Sequence, residues 1–342
     1  MVETIRVYIA SGSAHDLGAL MALFENATGF ELAGVSTDSK GMIEALIRLE
    51  PDAILLDLDV FSGDVIAVVK KIMREAPAPI ILISSAEKNK ERAIEGISAG
   101  ALTVIKKPIY VELKEDPHAG DLLLKATRTY SGIKVIRHVM GTDDNRPKRQ
   151  ASSLEQNGRI IAIASSTGGP QALRKVLSGL PATLPCGIVI AQHITQGFTG
   201  GLVDWLNKSC MVTVKEPSDG EIIEPGVAYI SPDGFHISIE RGGKIKIDDG
   251  PLIGNHRPSC NKLLKSVAKI YGDKAIGVIL SGMGDDGAEG LKEIKKAGGR
   301  TIAQDEATSV VFGMPKVALE IKAVNRTVPV DRIFWEIMRE FR

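Results

Sequence analysis

The first 108 residues alternate short apolar runs with segments whose apolar residues recur at helical spacing. Such runs are typical of strands buried on both faces, and their alternation with helices predicts a parallel sheet of the α/β class. We therefore predict a flavodoxin-like domain with a five-stranded parallel sheet over residues 1–139. Its predicted strands are Ile5 to Ala10, Phe30 to Val35, Ala53 to Asp57, Ile80 to Ser84 and Leu102 to Ile105.

The same alternation restarts at Arg159 and predicts a second doubly wound, mainly parallel α/β domain over residues 158–342. Residues 140–157 are polar and poorly periodic, which is typical of an exposed linker. Residues 236–247 alternate around two glycines, the pattern of an antiparallel hairpin. The predicted parallel strands are Ile160 to Ala164, Gly187 to Ala191, Ala228 to Ile230, Ala275 to Leu280 and Thr301 to Gln304.

The overall charge argues against two classes of partner. The 342 residues include 42 basic and 42 acidic side chains, so no net field recruits nucleic acid or an anionic membrane. No apolar stretch approaches the roughly 18 residues that a membrane span needs. Cys186, Cys210 and Cys260 are odd in number and widely spaced, which favours a reducing compartment over a structural zinc site. We expect a cytoplasmic protein without membrane insertion.

Three residues suited to nucleophilic catalysis follow three predicted strands. Ser166 follows the strand that starts at Ile160, His193 follows the next, and Asp286 lies in the loop after the strand that starts at Ala275. Open α/β sheets place their sites at the carboxyl ends of strands. A serine hydroxyl needs an imidazole to take its proton and a carboxylate to orient that imidazole. The sequence thus predicts a triad of Ser166, His193 and Asp286.

Thr167, Gly168 and Gly169 suit a turn whose backbone N–H groups and helix N-terminus approach an oxyanion. Each signal alone also has an ordinary structural interpretation, because such a turn caps helices and Asp-Asp-Gly is a common turn. A dinucleotide-binding loop fits less well, since the three-glycine spacing is missing.

Five ordered motifs follow one another in the second half of the chain: Ala164-Ser-Ser-Thr-Gly-Gly169, Gln192-His-Ile-Thr-Gln-Gly-Phe-Thr199, Gly254-Asn-His-Arg-Pro-Ser259, Leu280-Ser-Gly-Met-Gly-Asp-Asp-Gly287, and Gln304-Asp-Glu-Ala-Thr-Ser309 with Gly313-Met-Pro315. Together they resemble the CheB family of chemotaxis protein-glutamate methylesterases, and the resemblance covers essentially the whole chain. It implies that Ser166, rather than Ser165, is the nucleophile, and that Thr167 and Met283 line the reactive centre. Cys260 and Asn261 depart from the hydrophobic and acidic pair usual in the family.

The resemblance implies hydrolysis of glutamyl methyl esters on methyl-accepting chemotaxis receptors, with methanol as the leaving group and no cofactor. Deamidation of receptor glutamines by the same acyl-enzyme route is a second implied activity. For His256 to Ser259, initiation of a helix with Arg257 as a structural hydrogen-bond donor competes with a role in substrate binding.

The first half resembles a response-regulator receiver. The resemblance implies that Asp57 accepts a phosphoryl group from a chemotaxis histidine kinase, that Ser84 senses it, and that Lys107 contacts it. In this family the receiver normally covers the catalytic cleft until it is phosphorylated.

The acidic pair expected after the first strand of a receiver is replaced by Ser11-Gly12. Those acids hold the Mg²⁺ ion that phosphoryl transfer needs. Asp16 and Asp59 are candidate substitutes, and Val60-Phe61 stands where Met-Pro is common. Phosphorylation of Asp57 and a metal-free regulatory or docking role both remain open.

Two further functions compete with the methylesterase. Fold and triad do not determine the acyl substrate, so another ester or amide hydrolase is an alternative. A receiver-led signalling adaptor with a non-catalytic docking domain is the other. A DNA-binding regulator is disfavoured, because the second half shows no basic recognition helix.

Overall fold

The computed structural model describes residues 4–59, 64–84, 89–108, 113, 116, 118–133 and 158–341. The chain divides into two compact units, Met1–Thr142 and Asp143–Arg342. The predicted linker 140–157 and the pair Val60-Phe61 lie outside the described residues. Among the described helices, none has the length and apolar character needed to cross a membrane.

The first unit contains a five-stranded parallel sheet with strand order β2-β1-β3-β4-β5. This flavodoxin-like order confirms the predicted fold. Every residue of β3 and β4 is buried, as their continuous apolar runs predicted. The elements are β1 Ile5–Ala10, α1 Ala14–Glu25, β2 Phe30–Ser36, α2 Met42–Leu49, β3 Ala53–Asp57, α3 Val65–Glu75, β4 Ile80–Ser84, α4 Lys90–Ala99, β5 Thr103–Lys106 and α5 Asp121–Ser131.

The second unit contains a seven-stranded parallel sheet with strand order β14-β13-β12-β6-β7-β9-β8 and a separate hairpin. The elements are β6 Ile160–Ser165, α6 Gly169–Ser178, β7 Gly187–Gln192, α7 Thr199–Ser209, β8 Thr213–Lys215, β9 Val227–Ile230, β10 His236–Glu240, β11 Lys244–Asp248, α8 Cys260–Tyr271, β12 Ala275–Ile279, α9 Ala288–Lys296, β13 Arg300–Gln304, α10 Met314–Glu320, β14 Arg326–Val328 and α11 Ile333–Arg339. Two short 3₁₀ turns cover Gly272–Lys274 and Val330–Arg332.

The predicted hairpin is confirmed, since β10 and β11 pair antiparallel with Ile237 opposite Ile247. Strands β8 and β14 were not predicted. Both are three-residue edge strands that bury only part of their side chains, so they lack the apolar run that marks the central strands.

Strand β6 is the centre of the second sheet. The chain continues from β6 to β7 on one side and later adds β12 on the other. Such a reversal of strand order opens a crevice at the carboxyl ends of the strands. Ser166, His193 and Asp286 all lie on the segments that leave these three strands.

Candidate active site

Ser166 stands in the turn between β6 and α6. Its N–H donates to the carbonyl of Ser281 (3.1 Å), and its own carbonyl accepts from the Gly169 N–H (2.8 Å). Ser166 is partly exposed, whereas Ser165 is fully buried and its hydroxyl donates to Gln192 Oε1 (2.7 Å). Of these two adjacent hydroxyls, only that of Ser166 belongs to a residue that solvent reaches.

Two glycines fix the path of this turn. Gly168 has φ 76°, a left-handed conformation, and a Cβ there would lie 2.6 Å from Cβ of Val310. A Cβ on Gly169 would collide with Oε1 of Gln192. The Gly169 N–H donates to Ser166, within the turn, and so does not face an oxyanion as the sequence suggested.

His193 is hydrogen-bonded to Asp286. Nε2 of His193 lies 2.9 Å from Oδ2 of Asp286, and the two side chains are 11% and 6% exposed. Nδ1 of His193 is buried and has no hydrogen-bond partner within the described part of the chain. When Nε2–H donates to the carboxylate, Nδ1 is left as a proton acceptor. The imidazole also stacks on His256, with ring centroids 4.0 Å apart.

The N-terminus of α8 holds Asp286. Its Oδ1 accepts from the Ser259 hydroxyl (3.0 Å) and the Asn261 N–H (2.9 Å), and its Oδ2 accepts from the Cys260 N–H (2.7 Å). Burial by itself would raise the pKa of Asp286. The hydrogen bonds from His193 and these amides outweigh burial and lower the pKa to about 2. The carboxyl is therefore ionised at neutral pH.

Gln192 links the backbones of the serine and histidine segments. Its side-chain Nε2 donates to the carbonyls of Ser166 (2.9 Å) and His193 (2.6 Å). No role for Gln192 was predicted from the sequence. The signal available in the sequence was an amide side chain at the end of the apolar run, directly before His193. In the structure this amide is buried.

Ser281 ties the loop after β12 to the serine turn. Its hydroxyl donates to the Thr167 carbonyl (2.7 Å), and its N–H donates to Oε1 of Gln304 (2.8 Å). A Cβ on the adjacent Gly282 would lie 2.7 Å from Cβ of Ser166. Met283 follows on the same loop and is partly exposed, and its lining role stays a prediction.

The structure brings together some of the predicted triad but not all of it. His193 and Asp286 are paired, while Ser166 and His193 share no hydrogen bond among the described contacts. Their segments are joined instead through Gln192 and through the His193 N–H, which donates to the Ser165 carbonyl (2.9 Å). Catalytic hydrogen bonds often tighten only when substrate binds.

The structural interpretation of Arg257 and Ser259 is supported. One guanidinium nitrogen of Arg257 donates to the carbonyls of Asp249 (2.7 Å) and Gly250 (3.0 Å). Ser259 caps α8, because its hydroxyl accepts from the Lys262 N–H. Arg257 thus holds the preceding loop in place.

A separate cluster of charged groups lies in the first unit, at the carboxyl ends of its strands. Nζ of Lys107 lies 2.9 Å from Asp57, 3.1 Å from Asp16 and 3.0 Å from Asp59. Burial by itself would lower the pKa of Lys107. The three carboxylates outweigh burial and raise this pKa, so the ammonium stays charged.

Serine hydroxyls complete this cluster. Ser11, which stands where an acid is usual, donates its hydroxyl to Oδ2 of buried Asp57 (2.7 Å). Ser84 donates to Oδ1 of Asp59 (2.6 Å). The candidate substitutes Asp16 and Asp59 therefore do reach the site.

These residues do not fit a Mg²⁺ ion in the arrangement that the structure shows. A divalent ion needs carboxylate oxygens free to bind it. Here all three carboxylates contact one ammonium, and Ser11 is a donor to Asp57 rather than an acid.

Comparisons with known proteins identify the family of this chain. A family model described as CheB methylesterase matches residues 161–337, and one described as response regulator receiver domain matches residues 13–114. A curated relative from Leptospira interrogans is 39% identical over 97% of this chain and 99% of its own length. This chain belongs to the CheB family.

The CheB relatives share one name. Those from Leptospira interrogans and Anaeromyxobacter dehalogenans are each called protein-glutamate methylesterase/protein-glutamine glutaminase, and the second is 38% identical over 96% of this chain and 95% of its own length. The crystal structure of the Thermotoga maritima CheB methylesterase catalytic domain matches with 40% identity and a TM-score of 0.52. The match covers 54% of this chain and 99% of that one. The CheB resemblance seen in the sequence is confirmed.

Proposed function

We propose that this chain is a protein-glutamate methylesterase that removes methyl groups from glutamyl side chains of chemoreceptors. Relatives that share 36–40% of residues over most of the chain carry that name. The observation that carries the proposal is the His193–Asp286 pair, whose remaining ring nitrogen, Nδ1, is buried and has no hydrogen-bond partner among the described residues. A general base needs an acceptor nitrogen of this kind.

In the proposed reaction, Ser166 Oγ attacks the methyl-ester carbonyl as Nδ1 of His193 takes the hydroxyl proton. Asp286 accepts from Nε2–H throughout and stabilises the imidazolium. The imidazolium then gives its proton to the leaving methoxide, and methanol departs. Water, deprotonated by the same Nδ1, then attacks the acyl-enzyme, the bond to Ser166 Oγ breaks, and the imidazolium returns its proton to that oxygen, which releases the glutamate side chain and restores the enzyme.

The oxyanion of each tetrahedral intermediate lies, in this proposal, against the Thr167–Gly168 turn at the N-terminus of α6. A helix N-terminus favours negative charge there. The same steps deamidate receptor glutamine when ammonia replaces methanol as the leaving group. This second activity agrees with the term protein-glutamine glutaminase in the name of the relatives.

For the first unit, we propose a receiver-like regulatory domain that acts without Mg²⁺-dependent phosphoryl transfer. Its three carboxylates all contact the Lys107 ammonium, which occupies oxygens that Mg²⁺ would need. Chemoreceptors are then the partners that both supply substrate and govern activity, and phosphorylation of Asp57 by a histidine kinase is not required.

Methanol release from carboxyl-methylated receptor fragments tests the enzymatic proposal. Ser166→Ala should lower the rate by about 10⁴-fold or more. The matched control is Ser165→Ala, which removes the neighbouring buried hydroxyl and should retain most of the activity. Equal rates for Ser166→Ala and wild type, or no release from receptors verified as methylated, would overturn it.

A further inference from the structure

Three different ligand types converge beside the catalytic pair. His193 Nε2, Cys260 Sγ and an oxygen of Asp286 all lie within 4.8 Å of one another. Sγ is 3.5 Å from Nε2, which is itself 2.9 Å from Oδ2 of Asp286. The mechanism above uses the imidazole and the carboxylate but gives the Cys260 thiol no part. Imidazole, thiolate and carboxylate are the three protein ligands that zinc prefers.

Two of the three distances in this cluster are close to those around a tetrahedral zinc ion. With Zn–S near about 2.3 Å and Zn–N near about 2.0 Å, a sulfur and a nitrogen ligand lie about 3.5 Å apart. The distance from Cys260 Sγ to His193 Nε2 is 3.5 Å. A nitrogen and an oxygen ligand lie about 3.3 Å apart around the same ion. The His193–Asp286 distance of 2.9 Å therefore needs to open by only a few tenths of an ångström.

Charge and support also favour an ion at this place. A Zn²⁺ ion bound by one thiolate, one carboxylate and one neutral imidazole forms a neutral group, which limits the free-energy cost of burial. The hydrogen bonds from Ser259 and Asn261 to Oδ1, and that from the Cys260 N–H to Oδ2, hold the carboxylate in place. Cys260 is fully buried and His193 is 11% exposed, so the imidazole side of the cluster is where an ion reaches it.

We propose that a zinc ion binds His193, Cys260 and Asp286 and reversibly inhibits the enzyme. The Cys260 thiol loses its proton to solvent as the zinc–sulfur bond forms, and the proton on Nε2 of His193 moves to Nδ1 as the zinc–nitrogen bond forms. With Nδ1 protonated, the imidazole has no acceptor left for the Ser166 proton. Inhibition rests on the proposed function, whereas binding of the metal does not.

Cobalt substitution tests the binding directly. Wild-type protein titrated with CoCl₂ should show a thiolate-to-cobalt charge-transfer band in the near ultraviolet, because a cysteine ligand produces that band. Cys260→Ala should lose the band. Cys210→Ala is the matched control, since Cys210 is a free thiol of the same unit, outside the cluster, and it should keep the band. A wild-type spectrum without the band overturns the proposal, even if Cys260→Ala does not fold, and so does a band that persists in folded Cys260→Ala.

Zinc chloride added to the methanol-release assay tests the inhibition. Wild type and Cys210→Ala should lose activity and regain it with EDTA, while Cys260→Ala should need about tenfold more zinc or more. Equal zinc sensitivity of Cys260→Ala and wild type overturns the proposed inhibition. If wild type releases no methanol even without zinc, the proposed function fails, and the cobalt spectrum still decides whether the metal site exists.

Discussion

Two clusters at the carboxyl ends of parallel strands differ in what offsets the charge of their carboxylates. In the second unit, Asp286 is hydrogen-bonded by a hydroxyl, two backbone amides and the His193 imidazole. In the first unit, Asp16, Asp57 and Asp59 share the ammonium of Lys107.

The difference matters for chemistry. Neutral donors stabilise the charge of Asp286 without cancelling it, so the carboxylate still orients and stabilises a protonated imidazole. The Lys107 ammonium instead contacts all three carboxylates of the first unit and so occupies oxygens through which they would bind a metal ion. The carboxyl-end edge of a parallel sheet therefore carries the proposed active site in one unit and an ion-pair cluster in the other.

The largest expected effect comes from removing the charge of Asp286. Asp286→Asn should lower the rate of methanol release by about 10⁴-fold, because a neutral amide favours the wrong imidazole tautomer and does not stabilise imidazolium. Steady-state kinetics on methylated receptor fragments give the loss, and circular dichroism shows whether the fold is kept. A well-folded variant within about tenfold of wild type would remove Asp286 from the mechanism.

The ammonium of the first unit should matter for stability instead. Lys107→Ala leaves three carboxylates without their cation, and we expect the free energy of unfolding of that unit to fall by about 3–5 kcal/mol. Urea unfolding of the full chain measures this. Lys106→Ala, at the exposed neighbouring position, is the matched control and should change little. Mg²⁺ should restore more stability to Lys107→Ala than to wild type, and equal responses would count against the role given to Lys107.

Gln192 should have an intermediate effect on catalysis. Gln192→Ala removes the donor that joins the Ser166 and His193 carbonyls, and misplacement of the pair should lower kcat by about 10–100-fold with little change in KM. Gln192→Glu keeps the size of the side chain, but its carboxylate has no N–H to donate to the two carbonyls, so we expect a similar loss of kcat. Recovery of full kcat in Gln192→Glu would show that only packing matters.

The smallest effect concerns pH. The pKa of Asp286 is about 2 in the folded chain, below its ordinary value of 3.8. Because this pKa is lower in the folded chain than in the unfolded one, ionised Asp286 contributes about 2 kcal/mol to the free energy of unfolding at pH values above about 4. That contribution is lost as the pH falls from about 4 to about 2, through the folded-state pKa. Urea unfolding of the second unit should therefore depend less on pH in Asp286→Asn than in wild type. Parallel curves for the two proteins would contradict the pKa shift.

Much of the fold could be predicted, because buried parallel strands appear in the sequence as continuous apolar runs. Every strand of the first unit and five parallel strands of the second were found in this way. Strands β8 and β14 were missed because each has only three residues, too few to carry an apolar run such as that of the seven-residue edge strand β2.

For the sites, sequence position was informative only at strand ends. The strand-end positions of His193 and Asp286 predicted that both lie at one edge of the sheet, and the structure shows them hydrogen-bonded to each other. Sequence position gave no sign that Asp16, on α1, contacts Lys107. The two residues are 91 positions apart, and they meet only because of how α1 packs in the fold. The Gln192 contacts were hidden for the same reason: a side-chain amide selects its partners only in three dimensions.

The most direct test of the contrast between the two clusters is the rate of methanol release by the full chain, with and without acetyl phosphate and Mg²⁺. The account predicts release that depends on Ser166 and changes by less than about twofold when phosphate donor and metal are added, since Lys107 already occupies the receiver carboxylates through which Mg²⁺ would bind. A phosphate-driven rise that disappears in Asp57→Ala would contradict it.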